Sequence, residues 1–198
     1  MGRAKKVTIR RAHGGLRATV CVVCLFCSFA GNTQGQALSP KTRLKAASLR
    51  RVLSFVQWPD GAMPAKGGAL HFCVEGNSLI GFALAQELQG FTVGDRSVDV
   101  RWAKKEQDLR DCHAIFIGGS DEKSAAKVLE STKGGNVLTF GETDGFLEAG
   151  GTVRLSTEGN QVQFQINLAA ARSAGLKIDA RLLGLAKRVV NGRELPGG

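Results

Sequence analysis

The chain has 198 residues, 27 Lys and Arg against 17 Asp and Glu, a formal net charge of +10, five cysteines and no tyrosine. That length supports one domain with a substantial core. Six of the excess cations (Arg3, Lys5, Lys6, Arg10, Arg11 and Arg17) precede residue 18, and no acidic residue occurs before Asp60, so the rest of the chain is near +4. Without a dense Lys/Arg block interleaved with aromatics, the composition argues against nucleic-acid binding.

In chain order, the cationic segment MGRAKKVTIRRAHGGLR is followed by an apolar stretch from Thr19 to Ala30. This layout reads as a secretory signal peptide over residues 1–30, with Ala37 as an alternative cleavage point. The apolar run is shorter than the roughly 20 residues that span a bilayer. Cys21, Cys24 and Cys27 lie inside it. Their spacing suggests a metal or thiol-exchange site, but no second ligand pair follows to complete four zinc ligands. Removing the leader leaves Cys73 and Cys112 in an exported chain, a setting where disulfides form. From the residues alone, the two are either bridged or reduced apolar strand residues.

Ser39-Pro40 reads as the cap and first turn of a helix over Lys41 to Trp58, limited by Pro59. Leu49, Val52, Leu53 and Val56 make one apolar stripe, and Leu44, Ala47, Phe55 and Trp58 a second on the opposite side. A helix apolar on two sides sits between layers or offers one side to a partner. Leu44, Phe55 and Trp58 are therefore the interface candidates, with burial inside the domain or in a homodimer as the competing expectation.

Strands are predicted over Ala69 to Val74, Ser97 to Trp102, Cys112 to Ile117 and Asn136 to Phe140. Helices alternate with them over Ser78 to Leu88 and from a Ser120 or Asp121 cap to about Ser131. This alternation points to an α/β sheet with parallel core strands. Thr152 to Ser156 and Gln161 to Ile166 flank the turn signal Thr157-Glu158-Gly159-Asn160, a hairpin. Asn167 is expected to cap a helix over Leu168 to Ser173 that ends at Gly175. Ile178 or Asp179 then leads into a last helix ending near Val190, with Leu168, Ala171, Leu176, Leu182, Leu183 and Leu185 as core. The domain is bounded at 41–190, and residues 191–198 read as a frayed tail.

The ordered segments LKAASLRRVLSFVQWP, HFCVEGNSLIGFALAQELQG, DLRDCHAIFIGGSDEKSAAKVL, NVLTFGETDGFLEAGGTVRL and QVQFQINLAAARSAGLKIDARLLGLAKRV resemble the YfiR family of periplasmic repressors (the YfiR/HmsC-like group). The resemblance implies a single-domain layered α/β sandwich, with a mixed sheet of about six strands flanked by helices. It also implies a periplasmic, non-enzymatic regulator that holds back a membrane diguanylate cyclase through its periplasmic sensor domain. In that reading, envelope or redox state controls cyclic-di-GMP and biofilm formation. By position, Cys73 and Cys112 correspond to a family pair that can form a redox-dependent disulfide. This chain has Arg50 and Arg51 where members usually carry aromatic or neutral residues, and it has no second cysteine pair around Thr143 to Thr152.

Other constellations are weaker. His71 and His113 lie near the two strand cysteines, but Cys112 and His113 are adjacent and would point to opposite faces of a regular strand. No metal site is expected. Gly118-Gly119-Ser120 lacks the spacing of a dinucleotide or Walker loop. Glu142 and Asp144 sit in a glycine-flanked loop and read as solvated. No catalytic residue and no cofactor are expected. The expected partner is the periplasmic sensor domain of an inner-membrane diguanylate cyclase or histidine kinase. The alternative is a small-ligand-binding sensor, with a pocket at the carboxyl ends of the strands near Gly76 or Gly118-Gly119.

Overall fold

The sheet is built on its most apolar segments. β2 (Ala69–Glu75) lies between β4 (Arg96–Ala103) and β5 (Ala114–Ile117), parallel to both. The computed structural model describes residues 38–191 apart from 77–78 and 119–120. The expected leader (1–30, or to 37) and most of the expected tail lie outside the described residues, as do Ser78, Gly119 and Ser120.

β6 (Leu138–Gly141) and β7 (Val153–Glu158) extend the parallel set beyond β5. β7 turns back into antiparallel β8 (Gln161–Asn167), with Glu158 paired to Gln161 around a two-residue Gly159-Asn160 turn. Short strands close both margins: β3 (Thr92–Val93) lies antiparallel on β4, and β10 (Arg188–Val190) parallel on β8. The order is β10-β8-β7-β6-β5-β2-β4-β3. The sheet is mixed, as expected, with eight strands rather than six, because β3 and β10 add to the six long segments read from the sequence.

Alternation along the strands sorts side chains into two cores. On one face Leu70, Phe72, Val74, Phe116, Leu138 and Phe140 pack with α1 (Pro40–Leu53) and α2 (Leu79–Glu87). On the other, Cys73, Ile115 and Ile117 pack with Ala125 and Leu129 of α3 (Glu122–Ser131) and with Phe146. The result is a three-layer α/β sandwich.

The capping residues act locally, as read from the sequence. Ser39 accepts from the Thr42 amide at 3.1 Å, and Asp121 from Lys123 and Ser124 at 3.1 and 3.2 Å. Asn167 accepts from Ala170 at 3.0 Å, starting α4 (Leu168–Ser173). Gly175 ends that helix at φ +69°, a left-handed conformation that disfavours any side chain.

Two helical readings are corrected. α1 stops at Leu53 instead of Trp58, and Val56–Gln57 forms β1, antiparallel to β9 (Lys177–Ile178). Pro59 drives the preceding residue out of the helical region, and the backbone just upstream pairs with a strand 120 residues away. The last helix shrinks to α5 (Ala180–Leu183), after which Arg188–Val190 becomes β10. The β-branched Val189 and Val190 suit a strand, and they pair with Ile166 and Asn167. Leu185, expected in the core, is exposed.

Candidate functional site

Cys73 faces the α3 side of β2, and Cys112 sits one residue before His113, which precedes β5. Their Cα atoms are 5.8 Å apart and the sulfurs are bonded to each other. This separation falls in the range that a disulfide bridges without moving the backbone. Both cysteines are buried, at 1% and 6% exposure.

A second tie lies beside the bond. The amide of His71 donates to Nδ1 of His113 at 3.1 Å, and the amide of His113 donates to the His71 carbonyl at 2.9 Å. Nδ1 of His71 is 3.1 Å from the Asp111 carbonyl, which only accepts, so that nitrogen carries the proton. The two rings meet edge to face, 5.5 Å between centroids. The expectation that Cys112 and His113 alternate as strand residues is thus replaced, because regular β5 begins only at Ala114. Burial first, then the neighbouring His71 and Arg101 charges, push the His113 pKa below its ordinary 6.5. A neutral ring is also what its acceptor role requires. With both sulfurs in the disulfide, neither is a thiolate for a metal, and no cluster of three His, Cys, Asp or Glu side chains forms among the described residues.

The three interface candidates separate. Leu44 is 43% exposed on α1. Phe55 lies beyond the helix end, half-buried, with the Arg181 guanidinium 5.2 Å from its ring centroid. Trp58 is 7% exposed in the core and donates from Nε1 to the His113 carbonyl at 3.2 Å. Its placement on an open helix side assumed a helix that ends five residues earlier. Arg50 lies 5.0 Å from the Phe91 ring centroid and 3.9 Å from a Glu87 carboxylate oxygen. Glu142 pairs with Lys45, and Asp144 with Arg154, so those two carboxylates serve loop anchoring.

Several clefts accompany these features. One of about 480 Å³ opens at the amino ends of β6 and β7, against α4. Its buried polar side chains are satisfied internally: Thr139 bonds Thr152, and Asn167 caps α4 while donating to the Leu147 carbonyl at 2.9 Å. A smaller one, of about 210 Å³, lies at the carboxyl ends of β2 and β4, the sheet end at which a pocket near Gly76 or Gly118-Gly119 was expected; its described lining includes Glu75 but neither Gly76 nor Gly118. Sequence reading had no signal for its lysines, which come from separate elements. No helix among the described residues is long and apolar enough to cross a membrane.

Among solved structures, the fold is similar to the ABC domain in complex with L-Trp from Streptococcus pneumoniae. That match has a TM-score of 0.51 and 10% identity, over 73% of this chain and 60% of that one. It is also similar to a conserved domain protein from Vibrio cholerae O1 biovar eltor, with a TM-score of 0.52 and 13% identity, over 77% and 60%. The chain thus spans about 60% of the length of these two structures, and at such identities the likeness concerns the fold alone. The family profile described as YfiR/HmsC-like matches residues 42–187, which takes in α1, both bonded cysteines, the histidine clasp and the sheet through β8. The chain belongs to the YfiR/HmsC-like family.

Proposed function

We propose that the protein is an exported regulator that binds the periplasmic sensor domain of an inner-membrane diguanylate cyclase, or of a histidine kinase, and represses it. Family membership over residues 42–187 carries this reading, since the family is one of regulators and not of catalysts. The secretory layout of residues 1–30 and the buried disulfide are consistent with an oxidising compartment. Repression then requires only that the protein bind the partner's inactive state more tightly than its active one. A hundredfold preference, about 2.7 kcal/mol, moves an evenly populated partner almost wholly to the inactive side.

Leu44 is the part of the expected interface that presents apolar area to solvent, with the exposed Lys41 three residues before it on α1. An acidic patch with an apolar centre on the partner would complement it. The test is co-expression with a membrane cyclase encoded in the same genome, reading cellular cyclic-di-GMP. The wild-type protein is expected to lower it and Leu44→Asp to restore it, with secretion and thermal midpoint unchanged. Cyclic-di-GMP unaffected by the wild-type protein, across the cyclases and kinases with periplasmic sensor domains, overturns the reading.

A further inference from the structure

One margin of the sheet is half open. On one side β4 runs parallel to β2, from Ala69↔Ser97 to Glu75↔Ala103. On the other side β3 covers only its first two residues, with Val93↔Arg96 and Thr92↔Ser97. Just before β3 the chain turns off the edge, where the Phe91 amide donates to the Leu88 carbonyl at 3.0 Å. Among the described residues, no strand lies against residues 98–103 on that side. Such an edge presents unpaired N–H and C=O groups to any strand that can reach it.

Exposed aromatic area gathers at the same margin. Trp102, near the end of β4, is 41% exposed, and Phe82 of α2 is 57% exposed. Their ring centroids are 5.4 Å apart. Gly81 lets α2 lie this close to the indole, since a methyl group there would sit 2.9 Å from Trp102 Nε1. Val98 and Val100 share the face of Trp102, the first buried and the second half-buried. Aromatic side chains left open beside an unpaired strand have the composition of an interface centre.

Charge selects the occupant. Asp99 and Arg101 are exposed on the opposite face of β4, one on each side of Val100. Two copies of an edge strand related by a two-fold axis pair antiparallel, and the residue on the axis sets the register. With Asp99 or Arg101 on the axis, a charge faces its own copy across the strands. With Val100 on the axis, Asp99 of each copy faces Arg101 of the other, and Trp102 of each comes beside Val98. Opposite charges directly across a strand pair stabilise it, and like charges oppose it. The segment Val98-Asp99-Val100-Arg101-Trp102 is thus complementary to itself, with charge on one face and apolar side chains on the other.

We propose that the open edge of β4 is the interface of a homodimer, in which this segment of two copies pairs antiparallel about Val100. Two Asp99–Arg101 ion pairs form on one face, and on the other Trp102 and Phe82 of each copy are covered by its mate. One short ladder joins the two sheets, which places the contact at the small, weak end of protein interfaces. Nothing in it depends on the repressor reading, and either can fail while the other stands.

The experiment is sedimentation equilibrium of the protein purified from the periplasm of an expression host, with amide hydrogen exchange measured at low and high protein concentration. The mass is expected to rise toward that of a dimer, with a dissociation constant of about 1–100 µM. Protection of the amides in residues 98–102 should rise with it. Asp99→Arg sets Arg against Arg101 twice across the axis and should weaken the dimer at least about tenfold. Asp99→Arg/Arg101→Asp exchanges the two charges and should return the constant to within about threefold of the wild-type value. That recovery is the decisive result, because a merely structural role for either side chain would not be rescued by the exchange. Phe82→Ser, at an exposed helix position, should weaken the dimer at least about fivefold, and it decides the matter if the charge variants lower the thermal midpoint. A protein that stays monomeric up to about 0.5 mM, a dimer indifferent to Asp99→Arg and Phe82→Ser, or concentration-dependent protection confined to another segment would overturn the proposal.

Discussion

Opening the Cys73–Cys112 bond is expected to lower the unfolding free energy by about 4 kcal/mol. The bond joins residues 39 apart in sequence. In the chain-entropy description, a closed loop of that length removes about 13 cal/mol/K from the unfolded ensemble, or about 4 kcal/mol at 25 °C. The folded-state contribution is small by comparison. Both cysteines are buried in the bonded structure, and a reduced Cys112 thiol would have an acceptor in the Asp108 carbonyl 3.3 Å away. For a domain of this size the loss corresponds to roughly 8–16 °C in the thermal midpoint. The assay is urea unfolding of the oxidised protein, of the protein reduced and held with a phosphine, and of Cys73→Ala/Cys112→Ala. The reduced protein isolates the cross-link, because it keeps both sulfurs in place, and the double variant adds the packing loss. The urea slope should also rise on reduction, since a freed unfolded chain exposes more surface. A reduced protein, with two free thiols by mass spectrometry, within about 1 kcal/mol of the oxidised one would refute the reasoning.

Three further outcomes follow from the packing. Gly141→Ala places a methyl group into the Phe146 ring, which is fully buried. It should cost about 2–3 kcal/mol, and an unchanged urea midpoint would show that the ring yields. Trp58→Phe removes one hydrogen bond to a carbonyl that also accepts from the Leu138 amide. It should cost about 1 kcal/mol against 3–5 for Trp58→Ala; equal losses would mean that the indole N–H, not the volume, matters. His113 has a folded-state pKa below its unfolded value near 6.5, so the unfolded chain takes up the proton first as pH falls. Stability should therefore decline as pH drops from 6.5 toward the folded-state value and level off below it. His113→Gln should flatten that limb between pH 7.5 and 5, and identical slopes for the two proteins would remove His113 as its cause.

Legibility in the sequence followed the range of the interactions. The caps at Ser39, Asp121 and Asn167 were readable because each acts on amides two or three residues away. The six long strands were readable because their side chains carry the alternation or the apolar run themselves. Val56–Gln57 and Arg188–Val190 carry too few residues to show any period, and they are strands only because of Lys177–Ile178 and Gln165–Asn167. Trp58 was misplaced for the same reason, since a helical projection has no meaning past the last helical residue. The cleft of about 210 Å³ was half legible. Strand–helix alternation located the carboxyl ends of the sheet, but Lys104, Lys105 and Lys127 meet there only once the strand order is known.

The placement of the disulfide bears on whether it signals or only holds. It ties β2 to the entry of β5 across the point where the winding reverses, and the His71–His113 clasp ties the same two segments beside it. Breaking the sulfur bond leaves the clasp and the β2–β5 ladder, four residue pairs from Phe72↔Ala114 to Glu75↔Ile117, intact. Reduction in the folded state therefore frees no element to move. It also needs access to a bond between residues that are 1% and 6% exposed, which calls for local opening. Two barriers thus stand between a reductant and any conformational readout, whereas the stability term acts on every unfolding event without either. On this geometry the bond acts as a staple, and a redox change at it would register as a change in the amount of folded protein and not in its shape.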